Sequence, residues 1–220
     1  MLRALLLTLL LAACGRGLTP AEVALLQPLH GATLDTGAVR IVRAPGLGAF
    51  PITYDARPRT TCRERIGPPP ARARITARTG GLVLFETLLL RPDLARSDFA
   101  GAPLDLSLAM FLAHEMTHVW QWQNRAWTGY HPARAFTEQV TIDDPYLLDP
   151  DPTRGFLAHG YEQQASLVEE YLCCATLDPT GGRTVRLHAL LREVMPVADP
   201  ATFPRRVTVP WAEDLDGICS

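Results

Sequence analysis

The stretch FLAHEMTHVWQWQ, residues 111–123, decides how the rest of the chain is read. It contains His114, Glu115 and His118 in the pattern H-E-x-x-H. Residues four apart on a helix share a face, one turn above the other. The two imidazoles therefore stand side by side and can share one metal ion. Glu115 lies next to that face, where its carboxylate can reach a metal-bound water without being a ligand. A metal that does chemistry needs three protein ligands and an open position, so a third ligand must come from elsewhere. The context fits a helix: Asp105 is placed to N-cap a run reaching about Asn124, with Pro103 just ahead of it. Leu106, Ala109, Met110, Ala113, Met116 and Trp120 recur at helical spacing and give it an apolar face.

A second helix is written into HGYEQQASLVEEYLCCATL, residues 159–177. Gly160 precedes it, and Tyr161, Ala165, Val168, Leu172 and Ala175 form its apolar stripe. Glu162 borders that stripe, far enough beyond His118 for the chain to return against the first helix. Glu162 is the expected third ligand, with Glu169, two turns on along the same face, as the next candidate. Glu170 points elsewhere. His131 and His159 are isolated and weaker candidates.

With these pieces placed, the chain resembles the gluzincin-type zincins, zinc metallopeptidases with a glutamate third ligand. More narrowly, FLAHEMTHVWQWQ followed by GYEQQASLVEEY is similar to a group of bacterial proteins found with Rhs and Vgr-type secretion components. The similarity runs from the first helix to about residue 192. It implies an α+β, zincin-like fold, with a small mixed or antiparallel sheet packed on the central helix and a glutamate-bearing helix beside it. It also implies one Zn2+ per chain on His114, His118 and Glu162, with Glu115 as the catalytic carboxylate in peptide hydrolysis. Many gluzincins carry an acidic residue four positions after the third ligand, orienting a ligating histidine. Here that position is Ser166, and Glu169 is the expected substitute. An oxyanion donor is sought among Tyr161, Tyr130 and His131. The competing reading is a zincin-like protein that binds a partner or wall polymer without turning it over. The intact Glu115 argues against it, because a purely structural site needs only ligands.

The 220 residues are 47% hydrophobic and 20% charged, enough for a sizeable core and far from a disordered composition. The net charge of −2 supplies no field favouring nucleic acid. Arg3, the apolar Leu2 to Leu11 and the small Ala12-Ala13 before Cys14 read as an export signal. Leu11-Ala12-Ala13-Cys14 resembles the lipobox of bacterial lipoproteins. This implies a signal peptide over 1–13, lipidation at Cys14, a tether over 14–18 and one domain over 19–220. The mature protein is then anchored in the cell envelope, facing the periplasm, with a peptide or protein substrate. Four cysteines remain, Cys62, Cys173, Cys174 and Cys219. In an oxidising compartment an even number reads as disulfides. A bond between the neighbours Cys173 and Cys174 would be strained, so each is expected to reach one of the distant pair; which reaches which stays open.

The remaining chain carries weaker signals. Thr19-Pro20-Ala21-Glu22 reads as a capping box opening a helix to about Leu29. Val39 and Ile41, then Ile52 and Tyr54, alternate as short strands. Residues 56–78 are arginine-rich and read as a solvated loop and edge strand rather than a lipid-binding segment. Thr79-Gly80-Gly81 forms a turn before a strand over Leu82 to Phe85, whose exposed edge can hold an extended peptide across the metal. Trp127 to Pro152 reads as irregular, its Asp143, Asp144, Asp149 and Asp151 as turn formers rather than calcium ligands. Trp120 and Trp127 are expected in the core and Trp122 on the cleft wall. A last helix is expected from Arg183 to about Met195, then an extended tail to Cys219.

Overall fold

The computed structural model describes residues 15–149, 153–213 and 215–220. The expected leader over 1–13, the Cys14 lipidation position and Asp151 lie outside these. In chain order the elements are α1 (Pro20–His30), β1 (Arg40–Arg43), β2 (Pro51–Asp55), α2 (Cys62–Arg65), β3 (Arg74–Arg78), β4 (Gly81–Leu84), β5 (Thr87–Leu90), β6 (Leu104–Asp105), α3 (Leu106–Gln123), α4 (Arg125–Thr128), α5 (Pro132–Thr141), α6 (Tyr161–Leu177), α7 (Gly182–Leu191) and β7 (Val207–Thr208). This is a mixed α+β arrangement with small sheets. Among the described residues no helix is long and apolar enough to cross a membrane.

The core forms around the contact between α3 and α6. Leu106, Ala109, Met110, Leu112, Ala113, Met116, Val119 and Trp120 of α3 are all buried. So are Ala165, Leu167, Val168, Tyr171, Leu172 and Ala175 of α6. Helices apolar over so much of their circumference belong in an interior rather than on a surface. Asp105 caps α3 by accepting from the Leu108 N–H at 3.1 Å. Glu22 closes the capping box of α1 and is fully buried. Its carboxylate also accepts from Arg16 through two bonds of 2.7 Å and from the Phe99 N–H at 2.9 Å. That carboxylate fixes the loop over 91–104 to the first helix.

The three-stranded sheet has the order β1-β5-β4. β1 runs parallel to β5, pairing Arg40 with Thr87 and Arg43 with Leu90, while β4 and β5 form an antiparallel hairpin. β4 is therefore an edge. The strand ends one residue earlier than the alternation predicts: Phe85 sits in the turn at φ 60°, its ring 4.6 Å from that of Trp122. A left-handed backbone is uncommon for a bulky residue; here the Phe85 ring lies tilted against Trp122. β2 and β3 form a separate antiparallel pair; β3 is the edge strand expected in the arginine-rich segment, whose expected loop also holds α2.

Three expectations are corrected. The segment read as irregular from Trp127 holds α5, capped by His131, whose Nδ1 accepts from the Ala133 N–H at 3.1 Å. Only Ala135 of α5 is buried, and the apolar repeat the helix carries is short. Trp127 meets the Trp120 ring edge-on at 5.1 Å but is 46% exposed, a rim residue rather than a core one. The tail after α7 is likewise not wholly extended. It makes a 3-10 turn over Pro200–Thr202 and then lays β7 parallel to β6.

The disulfides are Cys62–Cys173 and Cys174–Cys219, spanning 111 and 45 residues. Neighbouring positions on a helix diverge by about 100°. Cys173 therefore meets α2 and Cys174 the C-terminus, and the two bridges lie side by side, with the sulfurs of Cys62, Cys174 and Cys219 within 4.8 Å of one another.

His30, at the end of α1, is fully buried against α3. Thr117 donates its hydroxyl to the Ala113 carbonyl at 2.8 Å, so it accepts from His30 Nε2–H at 3.3 Å. Burial pushes this imidazole down to about 4 from its ordinary 6.5. Below 6.5 the unfolded chain takes up a proton that the folded chain refuses. Stability is therefore present above pH 6.5 and lost as pH falls toward 4, by about 3 kcal/mol for this group. Urea unfolding at pH 7 and pH 4.5 should show the loss, and His30→Gln should show a smaller difference between the two. An equal pH dependence in that variant would remove His30 from the account.

Candidate metal centre

α3 and α6 bring the three expected ligands together. His114 Nε2 stands 3.2 Å and His118 Nε2 3.1 Å from the same oxygen, Glu162 Oε2. All three residues are buried, and their ligand atoms lie within 4.8 Å of one another. A tetrahedral divalent cation with bonds of about 2.0–2.1 Å keeps neighbouring ligand atoms about 3.3–3.4 Å apart. The observed separations are close to that edge, so the group can hold such an ion with little rearrangement.

The outer nitrogens are also engaged. His114 Nδ1 lies 3.2 Å from Glu169 Oε2, and His118 Nδ1 lies 2.9 Å from Gln121 Oε1. Gln121 has its orientation set from behind, donating to Gln164 Oε1 at 2.9 Å and to the Tyr161 carbonyl at 3.1 Å. Each imidazole thus has an acceptor for an Nδ1 proton, which leaves Nε2 as the inward lone pair that a metal requires. Glu169 takes the orienting place expected of it. Ser166 does not touch a histidine; its Oγ accepts from Arg63 at 3.3 Å.

Three further residues had no motif to mark them. Gln139 on α5 donates to Glu162 Oε1 at 2.7 Å and to the Tyr146 hydroxyl at 2.9 Å. The Tyr146 ring stands 5.8 Å from that of His114. Arg63 on α2 donates to Glu169 Oε2 at 3.2 Å. Gln121 alone had a readable signal, lying one turn beyond His118 on the same helix.

Burial by itself would lower both imidazoles. The carboxylates reverse this: bonds to Glu162 and Glu169 lift His114 to about 10, and the charge of Glu162 raises His118. Burial works against Glu162 too, and the two histidines nonetheless hold it well below the usual carboxylate range. Burial raises the Glu115 carboxyl, which His114 and His118 partly offset. Glu115 packs directly on the backbone of Gly81, where a methyl group would collide with its carboxylate oxygen.

The centre forms the floor of a cleft of about 560 Å³. One wall is β4 with the end of β3; the opposite wall is α5, through Pro132, Ala133 and Phe136. Tyr130 and Tyr146 reach this cleft, and the Tyr130 ring stacks over His118 with 6.1 Å between centroids. The other two expected donors lie elsewhere. The Tyr161 hydroxyl donates to the Gly129 carbonyl at 2.8 Å, and His131 is exposed, capping α5. Trp122 is not in the cleft lining; it stacks on Phe85 and carries Arg125 4.2 Å above its ring.

No protein-family model matches this chain, and no curated protein does. Among solved structures, the fold is similar to the effector domain of Pseudomonas aeruginosa VgrG2b, with a TM-score of 0.50 at 19% sequence identity. The match covers 84% of this chain and 86% of that one. At that identity the likeness concerns the fold.

The carboxylates of Glu162 and Glu169 favour the protonated over the neutral imidazoles. Ligation requires neutral imidazoles, so metal uptake at pH 7 should release at least about one proton per ion. Calorimetric titration with a divalent cation, in two buffers of different ionisation enthalpy, measures this directly. Uptake without release would mean that His114 is already neutral.

Proposed function

We propose that this chain is a zinc-dependent metallopeptidase of zincin type, working as an exported effector of the bacterial envelope. The observation that carries the reading is the convergence of His114, His118 and Glu162 beside a buried Glu115, at the floor of a cleft bounded by a free strand edge. The likeness to the VgrG2b effector domain supports the effector role. The paired cysteines and the export-type leader support work outside the cytosol. Anchoring through a lipid on Cys14 belongs to the same proposal.

When bound, a divalent metal supplies a Lewis acid and brings the pKa of water near 7. The chain's own residues do the rest. The free edge of β4 pairs with an extended peptide and lays it across the centre. Glu115, raised by burial, takes the proton of the attacking water on its carboxylate and returns it to the leaving amine. Tyr130 and Tyr146, both lining the cleft, would offer their hydroxyls to charge developing on the carbonyl oxygen. Gln139 holds Glu162 from the outer side.

Glu115→Gln should keep one zinc per chain and lower peptide hydrolysis by about 10²–10⁴-fold or more. Glu162→Ala should lose the metal. Metal analysis beside a peptide-library assay tests both. Turnover undiminished in Glu115→Gln would sink the mechanism, and a parent that takes up no zinc would sink the metallopeptidase reading.

A further inference from the structure

The stripe of α6 that carries Glu162 continues past the metal centre. Glu162, Ser166, Glu169 and Cys173 recur at spacings of four and three, so they share one helix face. Every one of them below Glu162 meets α2. Ser166 and Glu169 accept from Arg63 Nη1 at 3.3 and 3.2 Å, and Cys173 is bonded to Cys62, the residue before Arg63. Glu170, on the adjoining face, accepts from the Cys62 and Arg63 N–H groups at 2.8 and 3.1 Å. α2 is a single turn of four residues, too short to persist by itself. Its position is set by these attachments, and the disulfide is the covalent one among them.

Arg63 matters because of what lies on the far side of Glu169. The oxygen that takes Arg63 also faces His114 Nδ1 at 3.2 Å. By donating to that oxygen Arg63 fixes the place of the acceptor that keeps His114 Nε2 turned inward. Resting on the reading of His114, His118 and Glu162 as a metal site, we propose that Arg63 is a positioning residue for that site and that the Cys62–Cys173 disulfide sets it in place. The crosslinked chain presents Glu169 to His114 as a fixed acceptor; the uncrosslinked chain holds metal more weakly. The bond forms when the two thiols give up two protons and two electrons to an external disulfide, which leaves reduced to its thiols. The centre is therefore completed only where such oxidants prevail and stays loose among cellular dithiols. The second disulfide, Cys174–Cys219, lies against the first, its sulfurs within 4.8 Å of the Cys62 sulfur, and secures the C-terminus beside Arg183.

The test measures zinc affinity of the full chain by competition with a chromophoric chelator. Cysteines are removed rather than reduced, because free thiols bind zinc themselves. Cys62→Ala with Cys173→Ala should weaken zinc binding about 10–100-fold, as should Arg63→Ala. The three changes together should cost no more than the larger of the two. Arg63→Lys should recover part of the loss. With ¹⁵N-labelled histidine, the His114 Nδ1 proton of the zinc-loaded chain should exchange slowly in the parent and faster in both weakened variants. Parent affinity in a folded Cys62/Cys173 variant overturns the inference and leaves the metal site standing. If that variant fails to fold, Arg63→Ala with its disulfides intact decides: weakened binding upholds the proposal, parent affinity overturns it. A parent that binds no zinc removes this inference together with the metal reading beneath it.

Discussion

One oxygen of Glu162, buried between two imidazoles, sets the conditions for everything around it. Taking a carboxylate out of water costs several kcal/mol unless the interior answers each of its lone pairs. Here the histidines answer one oxygen and Gln139 the other. The demand then passes outward, because each imidazole needs an acceptor of its own. Glu169 meets it for His114 and Gln121 for His118. Glu169, buried in turn, needs Arg63, and Gln121 is held by Gln164 and the Tyr161 carbonyl. α3 and α6 must pack closely and in one rotational setting for these chains of bonds to close.

Much of the remaining architecture maintains that setting. The disulfides tie α6 to α2 and to the C-terminal turn, two segments that lie against each other beyond the site. Gly81 lets the start of β4 approach the Glu115 carboxylate at a distance no side chain would allow. A sheet edge, a buried base and a three-ligand group are thereby brought to one cleft.

The sequence makes the two central helices legible because their signals are local. The Asp105 cap, the period of the apolar residues and the H-E-x-x-H spacing all lie within the segments they describe, and Glu162 borders its stripe in the same way. Glu169 could be named from its helix face. Gln139, Tyr146 and Arg63 could not, because each arrives from a separate segment and no spacing relates it to the ligands. The parallel pairing of β1 with β5 depends on a crossover that leaves no local mark. The disulfide partners of Cys173 and Cys174 depend on which side of α6 the short turn α2 docks. α5 does carry Ala133, Phe136 and Val140 at helical spacing, but the repeat is short and only Ala135 is buried, so little packing marks the helix.

That exposure gives the cleft two unlike sides. β4 is held at fixed spacing by its ladder to β5. α5 buries only Ala135, leaves Phe136 and Val140 each 64% exposed, and is moored at the N-terminus of α6 by Glu138, which accepts from the Tyr161 N–H at 2.7 Å, and by Gln139. A chain lying in the cleft thus meets a ruler on one flank and a cushion on the other. Under the proposed peptide-binding role, backbone register would be measured by the strand and side-chain bulk would meet the more thinly packed helix.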